Sequence, residues 1–361
     1  MRDARIEDLR LHLLRLPLRE PYKLAFGPVD AFCTILVTLR IDGALGVGDA
    51  TVLTGYTEET IEGAWRLAGA IAEDLEGRTV DELWRRTKAS LAEAPFTVTA
   101  FRSAAEMALA HPVLRSDVER RVPLLKILHG EDEPTLEREI EASLAAGYRT
   151  FKIKVGFDLE PDLARVALIQ RLAAGRARLT VDANQGYDVD AGRAFAARVD
   201  PRDLAFFEQA CSKDDWPAAC AVADAAKPSH LPLMLDEQIY DLSDVERTAT
   251  LGVAQFVKLK LMKFGSLDAL LAGITRTREL DLEPVLGNGV ATDIGCWMEA
   301  CVAHSRIDTA GEMNGFLKPM RPVTRNPLRM ERGAVVIPAN YWPELDMDAI
   351  AEHSVTEPAF A

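Results

Sequence analysis

The stretch TFKIKVGFDLEPDLARVALIQRLAAGRARLTVDAN, residues 150–184, contains two short apolar runs separated by one amphipathic segment. The runs TFKIKV and RLTVDAN are typical of buried β-strands, and EPDLARVALIQRLAAG between them has the apolar spacing of a helix. A strand, a helix and a second strand in this order form the unit that connects parallel strands. The stretch therefore predicts a parallel sheet with crossover helices.

Short apolar runs recur along the rest of the chain, and helix-like segments fill most of the gaps between them. The runs are VPLLKIL, TFKIKV, RLTVDAN, LAFFEQA, LPLMLDE, QFVKLKL, LEPVLGNG and RIDTAGEM. About eight such alternations within roughly 190 residues favour a closed barrel over an open, doubly wound sheet. We therefore predict an α/β fold with a catalytic barrel at residues 121–324.

The residues before and after this barrel have a different pattern. IEDLRLHLLRLPL and CTILVTLRID alternate as antiparallel strands do, and helical periodicity begins at Thr57. Strands followed by helices predict an α+β domain at residues 1–120. The segment ERGAVVIPANYWPELDMD predicts a hairpin within a C-terminal tail, about residues 325–361, that returns to this domain.

The composition excludes several classes of function. A net charge of −14 and a pI near 5.0 argue against binding to nucleic acid or to an anionic membrane. The five cysteines show no CxxC spacing, so neither a disulfide framework nor a zinc site is predicted. The first residues lack the apolar core of a secretion signal, and no apolar run is long enough to span a membrane. We expect a cytoplasmic homo-oligomer that acts on a small soluble molecule.

Three carboxylates end successive predicted strands: Asp182 in LTVDANQ, Glu208 in LAFFEQA and Asp236 in LMLDEQ. They are each one strand–helix unit apart, so a barrel places them side by side on the rim where barrel active sites lie. Three crowded anions raise one another's pKa unless a cation lies between them. One such acid alone is more often a helix cap, but three in register favour Mg²⁺, which prefers oxygen ligands.

Two pairs of lysines flank these carboxylates. Lys152 and Lys154 share one face of the strand before Asp182, and Lys258 and Lys260 share one face of the strand after Asp236. Lys154 and Lys260 should stand on opposite sides of the metal. Each lysine should lower the pKa of its neighbour, as a general base near neutral pH requires. An isolated KxK would indicate a solvated edge strand, but apolar residues surround this one.

A metal between two opposed lysines indicates the removal of the α-proton of a carboxylate substrate. The metal would stabilise the enediolate that forms, and the second lysine would return a proton to the other face or act as an acid on a leaving group. A barrel aldolase that uses a Schiff-base lysine is the alternative from another class, but it needs no set of three carboxylates. Borohydride trapping would favour the aldolase, and activity retained in EDTA would contradict the metal.

The motifs KxK, DAN, the Glu of FEQ, LDEQ and KLKLMKFGS, in this order and spacing, resemble those of the enolase superfamily, in particular its muconate lactonizing enzyme subgroup. The resemblance covers nearly the whole chain and implies an N-terminal capping domain followed by a modified (β/α)7β TIM barrel. It implies that Mg²⁺ is the cofactor and that a small carboxylate is the substrate. The residue roles that it implies are metal ligands Asp182, Glu208 and Asp236, acid/base lysines Lys154 and Lys260, carboxylate-orienting Lys152, and supporting Asn184 and Glu237.

The same resemblance suggests which substrate contacts to expect. The mandelate racemase branch would need a His at the end of the seventh strand, where this chain has GNG at residues 287–289. KLKLMK looks most like dipeptide epimerases, which hold the substrate ammonium with Asp-x-Asp on the eighth strand. The matching AGEMNG offers Glu312 and Asn314, two apart and therefore on one face of a strand. Four residues of the capping domain could contact substrate or pack at the domain interface: Tyr22, Phe26, Thr54 and Tyr56.

The expected activity is the Mg²⁺-dependent racemisation or epimerisation of an amino-acid derivative or dipeptide. A muconate-type cycloisomerase or a β-eliminating dehydratase is the alternative, in which only one lysine moves a proton. Exchange of the α-hydrogen with solvent deuterium, without net consumption of substrate, distinguishes the racemase from both.

Overall fold

The computed structural model describes residues 3–24, 27–53 and 58–356. The first elements are an antiparallel sheet of three strands in the order β1-β2-β3, followed by three helices. Their bounds are β1 (Ile6–Leu24), β2 (Gly27–Ile41), β3 (Ala44–Thr51), α1 (Ile61–Leu75), α2 (Val80–Thr87) and α3 (Pro95–Ala108). The predicted order of strands and then helices is observed.

Helix α3 lies directly on strand β3 because two glycines of that strand leave room for it. A Cβ atom at Gly46 would lie 1.9 Å from the carbonyl oxygen of Ala104, and one at Gly48 would lie 2.0 Å from that of Ala100. Any larger residue at either position would collide with the helix backbone. The N-terminal sheet is therefore covered by α3, and Phe96 and Phe101 are fully buried in the apolar cluster between them.

The rest of the chain alternates between strands and helices, as the sequence predicts. Seven parallel strands pair in chain order from β5 to β11, which is the arrangement that right-handed crossover helices produce. The strands are β5 (Lys126–Ile127), β6 (Thr150–Lys154), β7 (Arg178–Asp182), β8 (Leu204–Glu208), β9 (Leu233–Leu235), β10 (Phe256–Leu259) and β11 (Glu283–Leu286). The helices are α4 (Glu133–Ala145), α5 (Leu159–Ala173), α6 (Val189–Arg198), α7 (Trp216–Ala226), α8 (Leu242–Leu251), α9 (Leu261–Phe264), α10 (Leu267–Glu279) and α11 (Asp293–Arg306).

The eighth position of the barrel is filled without a regular strand. Gly311 pairs with Leu124 in an isolated parallel bridge, and its carbonyl oxygen accepts the N–H of Leu125 at 3.0 Å. A Cβ atom at Gly311 would lie 2.4 Å from the carbonyl oxygen of Leu286, at the end of β11. This segment therefore closes the ring between β11 and β5. The strand predicted for RIDTAGEM is reduced to this bridge.

The C-terminal segment contacts both parts of the molecule. Strands β12 (Arg329–Glu331) and β13 (Ala334–Ile337) form the predicted hairpin. Strand β13 pairs with β4 (Arg120–Pro123), which comes just before the first barrel strand in the chain. Helix α12 (Met347–His353) lies beside β1, where the N–H of Val355 donates to the carbonyl oxygen of Leu13 at 2.9 Å. The proposed domain boundaries at residues 120 and 324 stay a prediction.

The barrel interior is apolar at one end and charged at the other. Phe206, Met234 and Val285 form a small buried cluster at the end where the strands begin. Lys258 on β10 and Lys260 directly after it follow Phe256 at the spacing of two that keeps side chains on one face. The inward-facing charged residues therefore lie on one side of this apolar cluster, toward the carboxyl ends of the strands. In the part of the chain described, no helix is long and apolar enough to cross a membrane.

Candidate active site

Strand register brings the predicted carboxylates to one end of the barrel. Lys154 on β6 pairs with Asp182 on β7, and Asp182 pairs with Glu208 on β8. Asp236 directly follows β9, whose Met234 pairs with Glu208. These four residues lie at the carboxyl ends of adjacent parallel strands, which is the face where barrel active sites are built. Asp182, Glu208 and Asp236 are all buried.

Lys152 lies deep in the barrel and contacts three carboxylates. Its Nζ lies 2.7 Å from Asp182 Oδ2, 2.8 Å from Glu208 Oε2 and 2.7 Å from Glu312 Oε1. Burial alone would lower the pKa of Lys152, but these three anions raise it well above its usual range. This residue is therefore a fixed cation.

Lys258 occupies the equivalent place on the other side of Glu312. Its Nζ lies 2.7 Å from Glu208 Oε1 and 2.7 Å from Glu312 Oε2. Burial opposes the charge, but these two carboxylates raise the pKa of Lys258. Glu312 is thereby held between two ammonium groups, which lower its pKa well below the usual range despite burial. The prediction that paired lysines lower one another's pKa is wrong for Lys152 and Lys258, because nearby carboxylates outweigh the neighbouring lysine.

Lys154 lies nearer the solvent than Lys152, with 35% of its side chain exposed. Its Nζ donates to Asp182 Oδ2 at 2.7 Å and also to Asn184 Oδ1. Asn184 has a left-handed backbone with φ of 43°, which asparagine tolerates better than most residues, and its Nδ2 donates to Glu237 Oε1 at 3.1 Å. Lys154, Asn184 and Glu237 therefore form one connected polar chain along the rim.

Lys260 follows β10 and is buried beside Asp236. Its Nζ lies 2.7 Å from Asp236 Oδ1 and 2.9 Å from Oδ2. Lys263, one helical turn further on, donates to the carbonyl oxygens of Asp236 and Ile239, both at 2.9 Å. Burial and the nearby charge of Lys260 lower the pKa of Lys263 to about 8. The end of β9 is therefore fixed by two lysines from the segment after β10.

The three rim carboxylates differ in pKa. Burial would raise the pKa of Asp182, but Lys152 and the lysines beyond it hold that pKa at about 2. Asp236 is likewise buried, and Lys260 lowers its pKa below the usual range. Burial and the charge of Asp182 instead raise the pKa of Glu208 to about 7. Asp182 and Asp236 are therefore more acidic than Glu208, which lies on the strand between them.

The donor set fits a hard divalent cation. The rim is rich in carboxylate oxygens, and three of the buried ones accept no hydrogen bond among those described: Glu208 Oε2, Asp236 Oδ1 and Glu237 Oε2. The first two lie within ion-pair distance of Lys152 and Lys260, but without hydrogen-bond geometry. The ammonium groups compensate the charge of these two oxygens, whereas Glu237 Oε2 has no such contact among those described, and a buried oxygen without a donor is costly unless a cation compensates it. Asp182, Glu208 and Asp236 are thus able to hold Mg²⁺.

A second acidic group in the described residues is a helix cap. Glu106, His111 and Asp268 have ligand atoms within 4.8 Å of one another. Glu106 accepts the backbone N–H groups of Leu267 and Asp268 at the start of α10, at 2.7 and 3.0 Å. His111 Nδ1 accepts a backbone N–H, so Nε2 carries the proton and donates to Asp268 at 3.1 Å. This His has no lone pair left for a metal.

The residues predicted to bind substrate are only partly brought together. Glu312 lies in the charged interior, but the N–H of Asn314 donates to the carbonyl oxygen of Glu312, which makes a tight turn. The expectation that Glu312 and Asn314 share a strand face is therefore wrong, because the chain turns between them. Tyr22 packs edge-on against Phe32 and lies beneath the ammonium of Lys318. Phe26, Thr54 and Tyr56 lie outside the described residues.

Several residues at the site carried little or no signal in the sequence. Lys258 was predicted to share a strand face with Lys260, but its contacts with Glu208 and Glu312 were not predicted, and Lys263 appeared only as part of KLKLMK. Gln209 accepts the N–H of Asp236 at 3.0 Å and so orients the end of β9. Glu299 accepts the N–H of Leu261, next to Lys260, at 2.8 Å, and burial raises its pKa to about 8. Its only signal was an acid inside the apolar helical run GCWMEACVA.

Comparisons with known proteins agree with this geometry. Residues 135–341 match the enolase C-terminal domain-like family. An aromatic dipeptide epimerase from Herpetosiphon aurantiacus is 30% identical over 73% of this chain and 77% of its own length. An N-succinyl-L-Arg/Lys racemase from Bacillus cereus is 24% identical over 87% of this chain and 88% of its own length.

The fold also matches solved structures. Muconate lactonizing enzyme from Pseudomonas fluorescens superposes with a TM-score of 0.84 at 21% identity, over 98% of this chain and 100% of its own. The L-Ala-D/L-Glu epimerase from Bacillus subtilis superposes with a TM-score of 0.80 at 20% identity, over 94% and 97%. At these identities the structures bear on the fold, and they confirm the predicted barrel with its N-terminal domain.

Fold and family together define the class of protein: a parallel barrel enzyme with its charged residues at the carboxyl ends of the strands. This chain belongs to the enolase C-terminal domain-like family and is an enzyme of the enolase superfamily. The resemblance stated from the motifs is confirmed, as is the prediction of an enzyme.

Proposed function

We propose that this enzyme removes the α-proton of a carboxylate substrate in a Mg²⁺-dependent reaction and returns a proton to the opposite face. The product is the racemised or epimerised form of an amino-acid derivative or dipeptide. Enzymes named as epimerases and racemases are among the relatives of this chain, which supports an activity of this kind.

The observation that carries the proposal is the placement of two lysines across the barrel mouth. Lys154 ends β6 and Lys260 follows β10, and three strands separate β6 from β10 in the sheet. Positions that differ by four in a ring of eight face each other. Each lysine is hydrogen-bonded to a rim carboxylate, Asp182 for Lys154 and Asp236 for Lys260. Two opposed amines are what a proton transfer between two faces of one carbon requires.

Asp182, Glu208 and Asp236 would hold the metal, which when bound would supply positive charge to a substrate carboxylate during proton removal. Lys152 would attract and orient the same carboxylate, since it is buried and stays protonated. Asn184 would orient Lys154 through its hydrogen bond, and Glu237 would fix Asn184 in turn. The apolar cluster of Phe206, Met234 and Val285 would exclude water from the end of the barrel where the strands begin.

The test is exchange of the α-hydrogen in deuterium oxide, followed by NMR, over a library of dipeptides, N-acyl amino acids and cyclic acids with Mg²⁺ present. The expected result is exchange without net consumption of at least one substrate, with loss of configuration at its α-carbon. Net conversion with incorporation at one face only would support the cycloisomerase or dehydratase. Full activity in EDTA, with borohydride trapping of a lysine, would support the aldolase and contradict the proposal.

The proposal implies a small carboxylate as the partner of the site. A homo-oligomeric state and a cytoplasmic location belong to the same proposal. Size-exclusion chromatography with light scattering measures the first, and fractionation of the source cells the second.

A further inference from the structure

Lys318 stands at the barrel mouth, in the loop after the eighth position. Its Nζ donates to the carbonyl oxygen of Gly289, which follows β11, and to Asn314 Oδ1 at 3.1 Å. The same ammonium lies 4.8 Å from the ring centroid of Tyr22, on strand β1. A lysine from one loop thus contacts two segments of the rim and one aromatic residue of the N-terminal sheet.

The contacts of Lys318 are with neutral groups. Within the described ranges, no carboxylate lies within ion-pair distance of its ammonium, although every lysine of the charged interior has one. Its partners are a carbonyl oxygen, an amide oxygen and an aromatic face. The ammonium is only partly exposed. It is therefore a cation at the mouth whose charge is not balanced by a described acid.

Lys318 is connected to the proposed site through the glycine loop at residues 287–289. The glycine loop that it binds follows β11, and β11 pairs with β10, which leads to Lys260. A Cβ atom at Gly287, in the same loop, would lie 2.3 Å from the backbone nitrogen of Glu312. The loop therefore contacts the segment that carries Glu312 at Gly287 and the ammonium of Lys318 at Gly289.

The surroundings of Lys318 disfavour a positively charged substrate group at this part of the rim. Both oxygens of Glu312 are already bound by lysines, at 2.7 Å each. Asn314, the other residue expected to hold an ammonium, instead accepts a hydrogen bond from Lys318. An ammonium placed here would meet a like charge, which weakens binding.

We propose that Lys318 binds an anionic group at the far end of the substrate, so that the substrate carries no free ammonium on its nitrogen. The class of substrate is an N-acyl amino acid whose acyl group ends in a carboxylate, such as an N-succinyl derivative. The carboxylate next to the α-carbon would then bind near Lys152, and the carboxylate at the end of the acyl group would bind Lys318. This inference rests on the proposed function. It specifies that the group attached to the substrate nitrogen is negatively charged.

The experiment compares matched substrates that differ only in the distal group. Exchange kinetics are measured with N-succinyl, N-acetyl and free-amino glycyl derivatives of the same amino acids. We expect kcat/KM to be highest for the succinyl series and lowest for the glycyl dipeptides. In Lys318→Met, the ratio of kcat/KM for succinyl over acetyl substrates should fall about tenfold or more, through KM, because a charged hydrogen bond is lost.

Two further variants sharpen the comparison. Lys318→Arg should keep most of the preference for succinyl substrates, and Lys318→Glu should shift the preference toward the glycyl dipeptides. Lys227→Met is the matched control, because it removes the same charge from an exposed lysine after α7, at the opposite end of the barrel. An unchanged succinyl-to-acetyl ratio in Lys318→Met would overturn the inference, as would a wild-type preference for the free-amino dipeptides.

A binding measurement separates this inference from the proposed reaction. N-succinylglycine and N-acetylglycine are titrated calorimetrically into the Mg²⁺-loaded enzyme and into Lys318→Met. If no compound exchanges its α-hydrogen but the variant loses affinity for N-succinylglycine alone, the reaction is wrong and the anion site stands. If the variant loses affinity for both compounds equally, or for neither, the anion site is wrong whatever the reaction.

Discussion

At the residue scale, the lysines of the barrel divide into two kinds. Lys152 and Lys258 are buried and surrounded by carboxylates that keep them protonated, so neither is suited to accept a proton. Lys154 is partly exposed and contacts one carboxylate and one amide. The sequence motif KIK does not distinguish its two members, whereas their depth in the barrel does.

Substitution of the two proposed base residues should stop racemisation in different ways. Lys154→Ala and Lys260→Ala should each lower turnover by at least about a thousandfold, since general base catalysis contributes up to about 10⁴. Each variant should still exchange the α-hydrogen of one enantiomer, because the opposite lysine remains. NMR exchange with separate enantiomers measures this. Turnover by the double variant would contradict the two-base arrangement, and circular dichroism checks that each variant is folded.

Asp236 should be needed for metal affinity. Asp236→Asn keeps the shape of the side chain but removes one anionic ligand, so calorimetry should show Mg²⁺ affinity falling by about tenfold or more. Asp268→Asn is the control, because Asp268 belongs to the acidic group at the start of α10. If Asp268→Asn weakens Mg²⁺ binding and Asp236→Asn does not, the metal site is at α10 and the rim assignment is wrong.

At the scale of elements, buried carboxylates accept backbone N–H groups at the starts of helices. Glu59, which is not part of α3, accepts backbone N–H groups in the first turn of α3. Glu106, which is not part of α10, does the same at the start of α10. Asp49, on β3, accepts the N–H of Thr292 at the start of α11 at 2.8 Å. Burial raises the pKa of all three acids above their usual range. These contacts join elements far apart in sequence, which no local pattern could predict.

Glu106 should make stability depend on pH. Burial raises its pKa from 4.5 to about 7, so between these values the folded state holds a proton that the unfolded state has lost. The free energy of unfolding should therefore fall as pH rises from about 4.5 to 7, and level off above that. Urea titrations across this range should show this fall, of order 3 kcal/mol, in the wild type relative to Glu106→Gln.

An exposed cap provides the comparison for Glu106. Asp132 caps α4 through Thr135, and this hydrogen bond lowers the pKa of Asp132. Asp132→Asn should change the pH dependence only near and below about pH 4, where stability rises with pH. A wild type and Glu106→Gln with parallel curves between pH 4.5 and 7 would show that Glu106 ionises freely in the folded protein.

The eighth barrel position shows where the sequence pattern failed at this scale. RIDTAGEM has the apolar alternation of a strand, yet only Gly311 bridges to a neighbour. The chain then turns between Glu312 and Asn314, and the side chains of these two residues bind different lysines. Strand propensity is a weak local preference, and tertiary contacts of this strength override it.

At the scale of the whole molecule, the N-terminal sheet and the barrel are joined at several places around the mouth. Glu58 pairs with Lys213, in the loop after β8, at 2.9 Å. Backbone hydrogen bonds also link Arg19, on β1, to the carbonyl oxygen of Lys318 at 2.9 Å. The loop after β8 therefore contacts the segment before α1, and the loop that carries Lys318 contacts the N-terminal sheet.

The C-terminal helix should contribute to global stability but not to the chemistry. Ile350, on α12, is 1% exposed and packs in the same core cluster as Leu14 on β1. Ile350→Ala should lower the free energy of unfolding by about 2–4 kcal/mol through loss of burial and a residual cavity, with kcat within about twofold. Glu352→Ala, an exposed change on the same helix, is the control. Equal free energies of unfolding for both variants in denaturant titrations would show that the packing of α12 against β1 does not stabilise the fold.

The sequence by itself determined the architecture of this protein. The period of two in the strands, the helical spacing between them and the recurrence of this unit were sufficient for a parallel barrel, because each is a local property of the chain. The order of KxK, DAN, FEQ, LDEQ and KLKLMK also placed the charged residues at the carboxyl ends of strands, where strand register then brings them together.

Tertiary structure decided the charge state of those residues and the path of the chain beside them. Whether a lysine stays protonated depends on which carboxylates surround it in space. Asp182, Glu208 and Glu312 together raise the pKa of Lys152, and Glu208 and Glu312 raise that of Lys258, although Glu312 is distant from both lysines in sequence. The position of Lys318 at the mouth likewise follows from a turn and a glycine loop. Electrostatic interactions depend on distance and burial, and neither quantity can be read from spacing along the chain.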